Sequence, residues 1–237
     1  MSVVGILPMA GAGGRLGLPF PKPLAPTAGP DGLTLLYEHA AGRLREVTDD
    51  ILAVVYAYEN PALTTSLREH GITVIVKRER DEAEGRGEMP SSLALAASGL
   101  DPEDICAVAL PDTIWRGKMA RLMEFAWRPS LNVVLGLFGP VSDHILDTVE
   151  TRGSEVVAVR RHLDRGPVSD TVGWGCFLAR ATWLATLTDR LPMAAWLDTE
   201  ARCGGVSAAV IGGDCYHDLG TPERYLGGFD AALHPCI

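Results

Sequence analysis

An α/β fold, with a mostly parallel sheet enclosed between helix layers, is what this sequence predicts. Two observations carry the prediction. Apolar runs rich in β-branched residues recur along the chain and are continuous rather than alternating, as in strands covered on both faces. Segments of helical period lie between them, which is the alternation that builds a sheet with helices packed on it. Composition agrees: 237 residues, 47% apolar and 22% charged, can bury a substantial core and match the size of one large α/β domain.

In chain order, strands are predicted at 3–7 (VVGIL), 51–58 (ILAVVYAY), 72–77 (ITVIVK), 105–110 (ICAVAL), 132–138 (NVVLGLF), 155–159 (EVVAV), 172–178 (VGWGCFL) and 206–211 (VSAAVI). Helices are expected over 33–47, 60–71, 90–98, 117–127, 179–190 and 222–232. The first places Leu33, Leu36, Tyr37, Ala40 and Leu44 on one face. The second has Asn60 as N-cap, Pro61 at the first helical position and Gly71 as its stop. The polar segment 78–90 (RERDEAEGRGEMP) is expected to overhang the functional site. No internal repeat, low-complexity linker or charge block divides the chain.

The net charge of −9, with no basic run longer than the pairs Lys77-Arg78 and Arg160-Arg161, argues against nucleic acid or an anionic membrane as partner. No stretch approaches the ~20 apolar residues of a membrane span. The start, MSVVGILPMAGAGG, lacks a basic region and is interrupted by Pro8, so it makes a poor signal peptide. Five scattered cysteines show no CxxC or Cys/His spacing. Reduced thiols in a cytoplasmic protein are expected, and zinc is not.

Behind the first strand, residues 6–26 read ILPMAGAGGRLGLPFPKPLAP. A dinucleotide fingerprint, GxGxxG, would fit Gly11 and Gly13 but meets Leu16 in third place, and no acidic residue closes a second strand about 20 residues on. A Walker-type loop needs Gly-Lys-Ser/Thr, whereas Lys22 stands between Pro21 and Pro23, where no helix should begin. What remains is a glycine turn whose bare N–H groups can approach an anion, followed by Arg15 as a bidentate fork and Lys22 as a point charge. That pairing suits a triphosphate. The plain alternative is a tight turn with two solvated cations, although Pro-Lys-Pro suits no standard turn.

AGAGGRL followed by PKPL resembles the opening signature, G-x-G-x-R-[LM] then P-K-x-L, of the nucleotidyltransferases that activate sugar 1-phosphates. The resemblance implies a Rossmann-like three-layer α/β/α sandwich with a mostly parallel, mixed central sheet. It also implies use of Mg²⁺ and conversion of an NTP and a sugar 1-phosphate into an NDP-sugar and pyrophosphate. On this reading Ala10, Gly11, Gly13, Gly14, Arg15 and Lys22 bind the nucleotide. Residues 1–237 form a single domain whose N-terminal half binds the nucleotide, with a sugar-phosphate-binding elaboration over residues 130–215. The gap between Arg15 and Lys22 is shorter than in many hexose 1-phosphate thymidylyltransferases. In that it resembles the N-acetylglucosamine 1-phosphate uridylyltransferases and the cytidylyltransferases of isoprenoid synthesis.

Such a transfer needs a divalent cation, and carboxylates at the C-terminal edge of the sheet are where one belongs. ICAVALPDTIW runs a strand into Asp112, which looks like the family's metal-binding aspartate; alone it reads equally as a turn cap. YHDLGTPERYL resembles the family's C-terminal motif WxDxGTPExY, whose aspartate corresponds to Asp218. Capping explains Thr221, Pro222 and Glu223 at a helix start but leaves Asp218 without a role. Asp112 and Asp218 are therefore expected to hold Mg²⁺, with phosphate oxygens and water completing an octahedron. Arg15, Lys22 and Asp112 form the expected catalytic set: Arg15 neutralises the leaving phosphates and Lys22 steadies the α-phosphate during an in-line displacement. No general base is assigned, because a sugar phosphate oxygen is already anionic.

The middle of the chain matches less well. GEMPSSLALAA (87–97) is a poor counterpart of the family's base-contacting GxAxA, and Ser91 or Ser92 reads instead as an N-cap. The family's second lysine has no counterpart in VAVRRHLDRG (157–166), so Arg160 or Arg161 stands in its place as a candidate phosphate ligand. DTVGWGCFL (170–178) is similar to the strand lining the sugar pocket. There Gly173 and Gly175 permit close approach, and Trp174 stacks on a sugar or fills the core. The expected partners are an NTP and a sugar 1-phosphate, with a homo-oligomer left open. A cytidylyltransferase acting on a polyol phosphate is allowed by the Arg15 to Lys22 spacing but disfavoured by DLGTPERYL. A catalytically idle nucleotide-sensing protein of the same fold is disfavoured by the presence of Lys22 and both aspartates.

Overall fold

The structure is a computed structural model and describes residues 1–10, 16–29, 32–56, 61–78, 88–126, 128–139, 147–161, 172–212 and 216–233. The strands are β1 (Val3–Pro8), β2 (Pro26–Gly29), β3 (Gly32–Leu35), β4 (Ile51–Tyr56), β5 (Thr73–Lys77), β6 (Ile105–Ala109), β7 (Thr113–Trp115), β8 (Val133–Phe138), β9 (Thr148–Arg152), β10 (Glu155–Arg160), β11 (Gly173–Arg180), β12 (Val206–Gly212) and β13 (Tyr216–Asp218). The helices are α1 (Leu36–Leu44), α2 (Pro61–Glu69), α3 (Glu88–Ala97), α4 (Met123–Ala126), α5 (Ala181–Leu184), α6 (Met193–Arg202) and α7 (Pro222–Leu233). All eight predicted strands are present. Asn60 and most of the polar segment 78–90 lie outside the described residues.

Nine strands form one mixed sheet in the order β5-β4-β1-β6-β11-β8-β12-β10-β9. Its N-terminal half, β5-β4-β1-β6, is parallel as expected from its continuous apolar runs. The second half departs from the mostly parallel expectation. β11 runs antiparallel between β6 and β8, and β9 and β10 form an antiparallel hairpin. The hairpin closes over Gly153 and Ser154, with Gly153 at φ 64, a left-handed conformation that glycine adopts without penalty. β9 also pairs with β11 at Thr148 and Gly173, so the far end of the sheet curls back on itself.

Side chains alternate between two cores, one on each face of the sheet. Ile6, Val108 and Phe177 pack with Leu93 of α3 and Leu197 of α6, while Leu7, Ala107 and Leu178 face Tyr37 and Leu44 of α1 and Leu63 of α2. Helices thus cover both faces, and the apolar stripes that predicted them point inward.

Three boundaries differ from the sequence reading. Residues 33–35 belong to β3, not to the first helix, because Leu33 and Thr34 pair with Ala28 and Thr27 of β2 and leave Leu33 exposed. The expected helix over 179–190 is strand through Arg180 and then a single turn, α5. That over 117–127 is a 3-10 turn at Met119–Leu122 followed by α4. α6 is absent from the predicted set, although Met193, Ala194, Leu197 and Ala201 give it a regular buried face.

Asp104, just before β6, fastens the chain start to the sheet. Its carboxylate accepts the Ser2 N–H at 2.7 Å, the Ser2 hydroxyl at 2.8 Å and the Asp101 N–H at 3.2 Å, and the Ser2 backbone bond leads in holding its pKa below the usual 3.8. A depressed carboxyl pKa stabilises above the unfolded value and loses that contribution as pH falls through the folded one. Asp104→Asn is therefore expected to lower the melting temperature by a few degrees at neutral pH, with the gap to the wild type closing below about pH 4. Melting curves recorded from pH 7 to pH 3 check this, and a gap that does not close contradicts it.

Candidate active site

Two acidic residues more than a hundred positions apart meet because two short strands pair. Asp112 follows β6 through Leu110 and Pro111, and its turn is held by the Thr113 hydroxyl donating to the Leu110 carbonyl at 2.9 Å. β7 then runs antiparallel to β13, with Thr113 opposite Asp218, and the Leu219 N–H donates to the Asp112 carbonyl at 3.0 Å. Asp112 and Asp218 are thereby brought together beyond the carboxyl end of β6.

Lys22 reaches them from the other side. Pro21, at φ −54 and ψ 130, caps a 3-10 turn at Lys22–Leu24 that has Pro23 at its middle, closed by the Leu24 N–H donating to the Pro21 carbonyl at 2.9 Å. Pro-Lys-Pro therefore does build a turn, contrary to the sequence reading. Proline fixes φ at a value the turn accepts and gives up N–H groups the turn does not use. The Lys22 ammonium pairs with Asp112 Oδ2, and its side chain is only 10% exposed.

Asp218 is held by its own loop and by α7. Oδ1 accepts the Gly220 N–H at 2.8 Å, and Oδ2 takes a 3.2 Å contact from Arg224 Nη1. Burial first, and then the charge of Asp112, push the Asp218 carboxyl above its usual range, against the pull of Lys22, Arg224 and the Gly220 N–H. Two carboxylates close enough to repel one another present hard oxygen donors of the kind Mg²⁺ prefers. No third His, Cys, Asp or Glu converges on them among the described residues. A divalent ion here would draw its remaining ligands from substrate and water.

An aromatic floor supports the carboxylates. Tyr216 lies 4.8 Å from Phe138, and Phe138 lies 5.2 Å from Trp115, ring centre to ring centre. Burial, with the Asp112 and Asp218 charges, raises the Tyr216 phenol well above its ordinary value. A Cβ built on Gly175 would lie 2.0 Å from Tyr216 Cε2, so this glycine makes room for the floor of the site. Gly175→Ala is expected to displace Tyr216 and cost about 1–3 kcal/mol, a fall in melting temperature of several degrees. Thermal unfolding checks it, and an unchanged midpoint contradicts the packing.

The other candidates fall in different places. Gly11, Gly13, Gly14 and Arg15 lie outside the described residues, while Ala10 is buried at the end of β1. Gly173 is buried opposite Thr148. Trp174 is 5% exposed, packed edge to face with Phe177, and its indole N–H has no partner among the described residues. Arg160 is exposed and pairs with Glu150 at 3.2 Å. It lines a cavity of about 300 Å³ between β10 and α6, together with Arg161, Asp198 and Arg202. Sequence reasoning missed Arg224. Its one signal is a cation in the helix turn directly after Asp218.

No protein-family model matches the chain, and no curated protein matches it in sequence. Solved structures do. A structure named as a glucose-1-phosphate thymidylyltransferase from Bacillus anthracis, in complex with sucrose, superposes with a TM-score of 0.80 at 16% identity, covering 100% of this chain and 97% of that one. HddC from Yersinia pseudotuberculosis gives 0.73 at 17% identity, covering 97% and 99%. A UDP-glucose pyrophosphorylase from Acinetobacter baumanii gives 0.72 at 16%, covering 100% and 95%. At these identities the likeness is one of fold: this chain is built on the scaffold of the thymidylyltransferase and the pyrophosphorylase.

Proposed function

We propose that the protein is a sugar-1-phosphate nucleotidyltransferase, converting an NTP and a sugar 1-phosphate into an NDP-sugar and pyrophosphate. The observation that carries the reading is the meeting of Lys22, Asp112 and Asp218 beyond the carboxyl end of β6, on a fold shared with two enzymes named for such chemistry. The reading includes a single domain with a three-layer, Rossmann-like arrangement, and a sugar-phosphate-binding elaboration over residues 130–215. It also includes residence in the cytoplasm, in keeping with Cys106 and Cys176 as buried thiols, the former pushed by burial up to about 12.

In the reaction a phosphate oxygen of the sugar 1-phosphate attacks the α-phosphorus of the NTP. The new P–O bond forms as the bond to the β-phosphate breaks, and its electrons leave with pyrophosphate. Asp112 and Asp218 would hold Mg²⁺, which when bound supplies charge neutralisation between the two anionic substrates. Lys22 is restrained by its Pro-framed turn, so its ammonium is positioned in advance and steadies the α-phosphate at little entropic cost. Arg15 takes the leaving phosphates, and Ala10 with Gly11, Gly13 and Gly14 brings backbone against the nucleotide. Arg160, Arg161 and the Gly173 backbone serve the sugar phosphate, whereas the Trp174 ring, buried against Phe177, fills the core instead of stacking on a sugar. No side chain removes a proton, because the attacking oxygen carries none at neutral pH.

A pyrophosphate-release assay with Mg²⁺, each of the common NTPs in turn and a panel of sugar 1-phosphates tests the reading. Turnover with at least one pair is expected. Nucleotide binding without turnover on any pair would reduce the protein to a sensor of the same fold.

A further inference from the structure

Arg224 is a cation of the site that helix formation does not explain. With Thr221 as the residue before α7, Arg224 occupies the third helical position, where a capping pattern favours Glu or Gln and the helix dipole disfavours positive charge. Nor is it needed to dock the helix. Tyr225 donates its hydroxyl to the Pro26 carbonyl, and Leu219 is buried against Ala25 and Leu36. Asp218 is oriented without it, since Oδ1 is held by the Gly220 N–H.

What Arg224 does is complete a charge pattern. Among the described residues, Lys22 stands on Asp112 and Arg224 on Asp218, so each carboxylate has one cation and these four charges cancel. Among the described residues its guanidinium spends a single N–H, on Asp218 Oδ2 at 3.2 Å, and its side chain remains 29% exposed. A planar fork with five donors and one engaged in this way is fitted to take phosphate oxygens.

We propose that Arg224 is a phosphate ligand of this site, exchanging the Asp218 carboxylate for a substrate phosphate when a divalent cation engages the two aspartates. The inference rests on the nucleotidyl-transfer reading only for the identity of the phosphate-bearing substrate.

Calorimetric titration of the full chain in Mg²⁺ with two probes, inorganic pyrophosphate and glucose 1-phosphate, tests it. Arg224→Gln is expected to weaken at least one probe by about tenfold or more, and Arg224→Lys, which keeps the charge but not the fork, by a smaller factor. Loss confined to pyrophosphate assigns Arg224 to the nucleotide phosphates. Loss confined to glucose 1-phosphate assigns it to the acceptor phosphate. The melting temperature of Arg224→Gln should stay within about 2 °C of wild type, because a partly exposed pair joined by one 3.2 Å contact contributes little to folding. Affinities unchanged for both probes, or a wild type that binds neither, would overturn the proposal. Should Arg224→Gln not fold, Arg224→Lys decides alone, and an unchanged affinity for both probes overturns it. Probe binding that depends on Arg224 in a protein without nucleotidyl transfer would uphold this inference and remove the proposed activity. Transfer with Arg224-independent binding would do the reverse.

Discussion

Asp112→Asn and Asp218→Asn are each expected to lower Mg²⁺-dependent pyrophosphate release by at least about a thousandfold. The amide preserves shape but removes an anionic oxygen donor, the property a hard divalent cation selects for. The two variants should differ in stability. At position 218 the amide oxygen can still accept the Gly220 N–H, so the loop keeps its form. At position 112 the mostly buried Lys22 ammonium loses its counter-charge, at a cost of about 1–3 kcal/mol. Activity per folded molecule, measured beside a melting curve, separates the two effects. Wild-type turnover in both variants would remove the aspartate pair from the mechanism.

Lys22→Ala is expected to reduce turnover by about a hundredfold, chiefly in kcat, because an ammonium held on a proline-framed turn acts where charge shifts in the transition state. It also exposes Asp218 to the uncompensated charge of Asp112. The double variant Lys22→Met with Asp112→Asn removes both charges together. It should melt closer to the wild type than Asp112→Asn alone while remaining inactive. A raised KM for the NTP with kcat intact would instead assign Lys22 to ground-state binding.

The sheet was legible in the sequence wherever both faces are covered, since β1, β4, β6, β8 and β11 bury nearly every residue and so read as unbroken apolar runs. β7 and β13 were not legible as strands. Each has three residues, and their pairing comes from long-range closure rather than local pattern. Asp112 and Asp218 could still be found, because the motifs around them are written in the chain. Lys22 was legible for its proline neighbours, though not the turn they make. Gly175 was visible as a place needing space, but the occupant of that space, Tyr216, arrives from forty residues later. Arg224 was hidden because a basic residue on a helix reads as solvated surface until its carboxylate partner is seen.

The central claim is that these residues transfer a nucleotidyl group and do not merely bind one. Incubation with Mg²⁺, a sugar 1-phosphate and an NTP labelled at its α-phosphorus tests it most directly. The label should appear in an NDP-sugar, with one pyrophosphate released per NDP-sugar formed and both products lost in Asp112→Asn and Asp218→Asn. Label that remains in the NTP, or reaches only water to give the nucleoside monophosphate, across the panel of sugar 1-phosphates would contradict it.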